Sequence, residues 1–336
     1  MKIALDAMGG DTAPETTVAG AIRAARELPV DVVLIGNQAV IEQQLARYHK
    51  RPSNLSIMHA SEAIGMDESP VASVRKKRDS SINVGIHRLR DGQVDAFVSA
   101  GNTGAVVSAA TLLLGLLPGV ERPGIGILLP GIRDDTFLID AGANIDPKPS
   151  HLLQYGQMGE AYMRFVMGKA HPNVGLLNVG EEDTKGTDFI KQTFGLLEQS
   201  GVNFVGNVEG RDIFLGTCDV IVCDGFVGNV ALKTAESLAH AISQVLKRAL
   251  SRSVITKIGA FLSRSAFKAL RQEIDYAEHG GAPLLGVNGV CIIAHGASSA
   301  KAIKNAIRVA YESVRHDVNR HLVDAISTST HPAPSP

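Results

Sequence analysis

Along this chain, short runs rich in Val, Ile and Ala alternate with longer stretches in which apolar residues return every three or four positions. Strand-like runs separated by helix-period segments mark βα units. The pattern therefore predicts an α/β fold with a layered, mixed but mainly parallel sheet flanked by helices. Predicted strands cover residues 2–7, 30–35, 94–100, 174–179, 202–208, 220–224 and 291–295. Two further runs, 124–129 and 136–141, are joined only by Pro130 to Asp135, too few residues for a crossover helix, and should pair antiparallel. Thr12 and Glu15 make a capping-box pattern with Pro14 in the first turn, continued by a stripe of Val18, Ala21, Ile22 and Ala25. Other predicted helices run through 103–117, 151–166, 187–199, 227–250 and 298–319. Residues 1–322 read as one α/β unit, with room for two subdomains around a cleft, and the Ser/Thr/Pro-rich stretch 327–336 reads as a disordered tail.

Five predicted strands end in the same way, in a polar Gly-rich loop that leads directly into a helix. The first loop carries Gly9, Gly10 and Asp11; the second Gly101, Asn102, Thr103 and Gly104. The third sets Lys185 between Gly180 and Gly186, the fourth holds Asp224, Gly225, Gly228 and Asn229 with Lys233 a turn later, and the fifth holds His295, Gly296 and Ser298. Helix N-termini carry unpaired N–H groups and a partial positive charge, and glycines let backbone amides come close, so such loops favour an anion such as phosphate. If the strands are parallel, all five loops lie along one edge, where open α/β sheets bind ligands. Each polar residue also has a plainer use: Asn102, Thr103, Asn229 and Ser298 as helix caps, Lys185 as a solvated partner of Glu181, Glu182 or Asp183, His295 as a backbone-bonded ring.

Composition narrows the function classes. At 336 residues with 45% apolar side chains, the chain can bury a full core, and 33 Lys and Arg against 34 Asp and Glu leave no global field for nucleic acid. Three cysteines, Cys218, Cys223 and Cys291, suit neither a disulfide framework nor a C-x-x-C site, and the histidines are too scattered to suggest a metal. No nucleophile elbow, H-E-x-x-H or Walker loop occurs, and the first loop lacks the third glycine of a dinucleotide fingerprint. The expectation is a cytoplasmic enzyme without cofactor or metal, since neither a leader nor an apolar run of membrane-spanning length is seen.

Charge is asymmetric in one place. From Ser237 to Gln272 there is no acidic residue, while Lys247, Arg248, Arg252, Lys257, Arg264, Lys268 and Arg271 recur. Val254, Ile255, Ile258, Phe261, Leu262, Ala266, Phe267 and Leu270 return among them at near-helical spacing. This predicts a basic amphipathic helical arm at about 245–275, broken into a hairpin at Gly259, for packing, for a partner or for an anionic membrane. A second basic run, Arg75, Lys76, Lys77 and Arg78, reads as solvated surface or as an acidic partner's docking patch.

Taken in order, residues 3–11, 99–105, 138–144, 224–229 with Lys233 and Thr234, and 294–296 resemble the PlsX family of acyl-acyl carrier protein:phosphate acyltransferases. The resemblance implies transfer of a long-chain acyl group from acyl carrier protein to inorganic phosphate, giving acyl phosphate for phospholipid synthesis. It also implies a homodimer, a fold similar to isocitrate dehydrogenases and phosphotransacetylases, and product use at a membrane. Lys185, Asn229 and His295 become the candidate catalytic residues, with the remaining loop residues as phosphate and substrate contacts. Lys76, Lys77, Arg78, Arg252, Lys257, Ile258, Phe261, Leu262 and Arg264 become candidate carrier or membrane contacts. The rivals are a phosphotransacetylase using coenzyme A, a nicotinamide-dependent dehydrogenase, which the absent fingerprint disfavours, and a noncatalytic lipid- or carrier-binding module.

Overall fold

In a computed structural model, which describes residues 1–267 and 280–329, eleven strands form one sheet in the order β3-β2-β1-β4-β11-β10-β5-β6-β9-β7-β8. In chain order these are β1 (Lys2–Asp6), β2 (Asp31–Gly36), β3 (Leu55–His59), β4 (Ala96–Ser99), β5 (Gly124–Leu129), β6 (Thr136–Ile139), β7 (Val174–Leu177), β8 (Phe204–Val208), β9 (Val220–Val222), β10 (Ala282–Leu285) and β11 (Val290–Ile293). Every predicted strand is present. β3 and β10 are additions: Leu55–His59 alternates weakly and borders an edge, and Ala282–Leu285 carries a Pro.

Side chains alternate across the sheet and are claimed from both faces. Ile3 and Leu5 pack beneath the helices Glu15–Glu27 and Ala300–Arg315, while Ala4, Val33 and Phe97 face the opposite layer, which includes Ile82, Ile86, Val106 and Ala110. Beyond the middle of the sheet, Phe137, Ile139, Val220 and Val222 pack with Tyr155, Met158 and Leu322 from the helices Pro149–Phe165 and Val318–Ser329. Leu138 and Ile221 meet Ile213 on the other face, with Ala231 and Leu232 of the helix Gly225–Leu250 against them.

The expected antiparallel pairing of β5 and β6 is found, and it has a consequence for the loops. β11 pairs antiparallel with β10, β10 with β5, and β5 with β6. The parallel block β3-β2-β1-β4-β11 therefore runs opposite to the parallel block β6-β9-β7-β8. The five loops do not share one strand edge: those of residues 6–11, 99–104 and 295–299 close the first block, and those of 179–186 and 224–229 close the second. Sheet twist of about 20–25° per strand, accumulated over the steps from β4 to β9, turns the second block by on the order of 100° and brings its loops back toward the first.

Several helix boundaries also differ from expectation. The helix Glu15–Glu27 is preceded by Pro14 without a side-chain cap, and the Thr12 hydroxyl pairs with that of Thr16 instead of closing a capping box. The helix from Thr103 ends at Leu114, where Gly115 turns to φ 90°, and the one predicted over 298–319 splits around Asp317 at φ 47°. Ser299, not Ser298, caps its start. Gly259 lies inside the helix Val254–Leu262; the break falls at residues 251–253, where Ser253 caps the next helix. Helix continues through Ser329, so the expected tail does not begin at Ser327. Lys268, Leu270 and Arg271, and residues 330–336, lie outside the described residues.

Candidate active site

Loop contacts begin between the glycines. A Cβ on Gly9 would lie 2.6 Å from the Gly101 nitrogen, so the loops after β1 and β4 touch backbone to backbone. Gly10, at φ 113°, passes beside the loop after β11, where the Asp11 N–H donates to the Gly296 carbonyl at 2.8 Å. Asp6 ties this corner from beneath. Its buried carboxylate accepts the Met8 N–H at 3.0 Å and the Ser99 hydroxyl at 2.7 Å, and Ser99 Oγ accepts the Gly101 N–H at 3.0 Å. Burial pushes the Asp6 carboxyl above the usual range, against the pull of those donors.

The second block joins through its long helix. Asp224 caps Gly225–Leu250 by accepting the Val227 N–H at 2.9 Å, which makes Asn229 an interior helical residue and removes its capping alternative. Asn229 overlies Gly142 of the loop after β6, since a Cβ on Gly142 would stand 3.5 Å from Asn229 Cβ. One turn on, Lys233 Nζ lies 2.9 Å from His295 Nε2 and 2.8 Å from Glu236 Oε2. His295 Nδ1 accepts the Ala297 N–H at 3.1 Å. Glu236 thus accepts from the Lys233 ammonium, and its Oε2 lies 3.7 Å from His295 Nε2.

Four of the five loops, with the loop after β6, form one continuous patch. Lys185 stands apart. It is exposed at the end of β7, its carbonyl accepts the Asn178 amide at 3.2 Å, and its N–H donates to Glu182 within the same loop. Thr103 is exposed at the first turn of its helix. Gly104 leaves room for Pro70, to which a Cβ would come within 2.6 Å. Asn102 is fully employed: Oδ1 accepts the Ala105 N–H at 3.0 Å while Nδ2 reaches the carbonyls of Gly65, Met66 and Glu68 at 3.2, 3.0 and 3.1 Å. The Ser298 N–H closes a turn onto the His295 carbonyl.

Much of the backbone cradle expected from the glycines is therefore spent internally, on Asp6, Gly296, Ser99, His295 and Asp140. That leaves side chains, Lys233, His295 and Asn229, as the outward donors at the junction of the blocks. No thiol competes as nucleophile: Cys218 and Cys291 are buried and pushed up to about 12, and Cys223 is driven upward by burial and then by Asp140 and Asp224.

Two groups were not among the candidate site residues, although 138–144 is one of the motifs that carry the family resemblance. The loop after β6, Asp140 to Asn144, does not run straight into a helix, so the loop-to-helix criterion passed over it. Glu236 is hidden by its position, three residues after Lys233 on the same helix face, a spacing that also describes any surface pair. In the basic run, Lys77 is withdrawn from solvent work: Nζ pairs with Glu68 at 2.5 Å and donates to the Ala63 carbonyl at 2.7 Å, leaving Arg75, Lys76 and Arg78 exposed.

Comparisons with known proteins agree with this architecture. Residues 1–321 match the family described as fatty acid synthesis protein. A protein of Syntrophotalea carbinolica named phosphate acyltransferase is 48% identical over 96% of this chain and 92% of its own length. Another of that name from Pelotomaculum thermopropionicum is 49% identical over 98% of this chain and 95% of its own. Among solved structures, a phosphotransacetylase from Streptococcus pyogenes superposes with a TM-score of 0.63 at 17% identity, and one from Staphylococcus aureus with 0.62 at 16%, each covering 94% of both chains. These structural likenesses show the fold. The chain belongs to the fatty acid synthesis protein family, the PlsX family that its loop motifs resemble.

Proposed function

We propose that this protein transfers a long-chain acyl group from acyl carrier protein to inorganic phosphate, releasing the carrier thiol and forming an acyl phosphate for phospholipid synthesis. The observation that carries this reading is the meeting of Lys233 and His295 across the two blocks, beside Asn229, with no activated nucleophile among the described residues of the patch. Relatives of nearly full length named phosphate acyltransferase support it.

A phosphate oxygen attacks the thioester carbonyl, a C–O bond forms, the C–S bond breaks and the thiolate leaves. Orthophosphate is already anionic at neutral pH, and a free thiol has a pKa of about 8.5, so little proton transfer is demanded. The demand is for donors. The Lys233 ammonium now donates to Glu236 beside the His295 ring; a bound phosphate or the developing oxyanion takes the place of that carboxylate as acceptor, and Asn229 adds an amide. One such donor is worth roughly 2.7–4 kcal/mol at the transition state.

Gly9, Gly10, Asp11, Gly101 and Gly296 then shape the floor of the site, and Asp224, Gly225 and Gly228 fix the helix that carries the donors. Arg75, Lys76 and Arg78 offer a positive patch for the acidic carrier. The exposed stripe Leu238, Ile242 and Val245 offers a packing face for a second copy. The deciding assay supplies acyl-acyl carrier protein with and without phosphate and titrates free carrier thiol. Phosphate-dependent release is expected; release that needs acyl-coenzyme A instead identifies the phosphotransacetylase alternative, and no release with either identifies a binding module.

A further inference from the structure

We infer that Asp140, whose loop the candidate residues passed over, is a positioning residue for this site. Its side chain is fully buried, and four backbone N–H groups converge on it. Oδ1 accepts those of Ile125, Gly142 and Ala143 at 3.0, 3.0 and 2.9 Å, and Oδ2 accepts that of Asn144 at 2.7 Å. Three of the donors are consecutive residues, so the carboxylate winds its own loop around itself, as anions are held in backbone nests.

From there the order passes to the helix that bears Asn229 and Lys233. The Asn144 carbonyl accepts the Gly225 N–H at 2.8 Å. A Cβ on Gly225 would stand 2.6 Å from Asp140 Oδ2, and one on Gly228 would overlap the Asp140 carbonyl oxygen, so both glycines exist to let the helix start press on this residue. On the far side, the Asn144 amide donates to the Tyr155 hydroxyl at 2.8 Å, fixing the loop's outer end. Asp140 is thus bonded to the loop under Asn229 and packed against the start of the helix that carries Lys233.

An apolar residue would fill the same space without the cost of a buried carboxylate. Desolvation pushes the Asp140 carboxyl upward against the four N–H donors, so the group is retained at an energetic disadvantage. What the carboxylate supplies, and an apolar side chain does not, is a fixed direction for each loop N–H. With its oxygens enclosed and engaged, it cannot itself take a proton from substrate; it acts through Asn229 and Lys233, and in this the inference rests on the function proposed above.

The test is Asp140→Asn, which keeps the shape but turns an NH2 toward an N–H donor. The expected result is a kcat lowered roughly tenfold or more with KM for the acyl donor within about threefold, in a protein that keeps its circular dichroism and cooperative unfolding. Amide exchange at residues 142–144 and 225–229 should quicken at the same time. A folded variant with wild-type kcat and unchanged exchange overturns the inference. If Asp140→Asn does not fold, Tyr155→Phe releases the outer end of the loop, together with the hydroxyl's bond to the Pro123 carbonyl, and should lower kcat by roughly two- to tenfold at unchanged donor KM; wild-type kinetics there overturns it instead. Were the wild type to transfer nothing to phosphate, the proposed function would fall, and the exchange readout alone would still decide the role of Asp140.

Discussion

A lysine ammonium is a compact charge on a flexible stem, and what it does depends on where a second donor meets it. Lys233 has that company: the His295 ring at 2.9 Å, from the other strand block, with Glu236 paired to the ammonium at 2.8 Å. Lys185, the cation that the sequence made the stronger catalytic candidate, contacts only its own loop. The sequence ranked Lys185 first because it lies between Gly180 and Gly186; the reversed expectation comes from the helix Gly225–Leu250, which carries Lys233 to His295. Lys233→Ala is therefore expected to lower turnover at least about tenfold, or ~1.4 kcal/mol of transition-state stabilisation, and Lys185→Ala by less than about threefold. Steady-state rates of the two purified variants, each checked for native circular dichroism, decide it. The reverse order would return Lys185 to the reacting atoms and leave Lys233 a surface partner of Glu236.

At the scale of elements, local rules were legible where the backbone itself imposed them and illegible where side chains from distant segments took over. The strands were recoverable from runs of Val and Ile, and the β5–β6 pairing from the length of the connection. Direction across the sheet was not, because it depends on β10, a four-residue strand containing Pro283 that pairs both β11 and β5. The capping box of Thr12 and Glu15 failed for a related reason: Thr17 Oγ1 bonds the Ala7 carbonyl at 2.8 Å, and the first turn is set by that docking. The loop of residues 63–68 shows the same rule. Beyond a turn between Gly65 and Glu68, it is held from outside, by Asn102 and Lys77. Glu68 is its anchor, and the hydrogen bond from Lys77, then those from the Gly65 N–H and the Ser73 hydroxyl, hold its carboxyl down at about 2, from 4.5. A depressed carboxyl contributes stability that is full above the unfolded value and lost as pH falls toward the folded one, so the anchoring of this loop should weaken between pH 4.5 and about 2. The Glu68 carboxyl resonance should titrate near 2 in the wild type and move toward 4.5 in Lys77→Met. A wild-type midpoint at 4.5 would show the pair unformed in solution.

For the whole molecule, the proposed site lies at the junction of the two blocks, and the long helix then leaves it. Gly225 and Gly228 are buried; Leu238, Ile242 and Val245 are not, and beyond Ser253 the helix Val254–Leu262 exposes Ile255, Ile258, Phe261 and Leu262, with Phe261 two-thirds exposed. Among the described residues, no helix is long and apolar enough to cross a membrane. The product of the proposed reaction, an acyl phosphate, would join an anionic head to a long alkyl chain, and a site that delivered it would gain from lying near the surface that receives it. The arm has the chemistry for that surface: Arg252, Lys257 and Arg264 beside an apolar face, each cation contributing about 1 kcal/mol against an anionic leaflet. The Arg264 guanidinium lies 5.3 Å from the centre of the Phe261 ring, an arrangement that keeps cation and apolar wedge together. Wild-type protein should float with vesicles containing anionic lipid at low salt, float less as salt screens the cations, and stay behind with neutral vesicles. The double variant Phe261→Asp/Leu262→Asp should lose flotation while keeping its oligomeric state and its phosphate-dependent release of carrier thiol. If that variant instead becomes monomeric, and the wild type does not float, the short helix packs against a second copy and the arm is an assembly device whose apolar face never meets lipid.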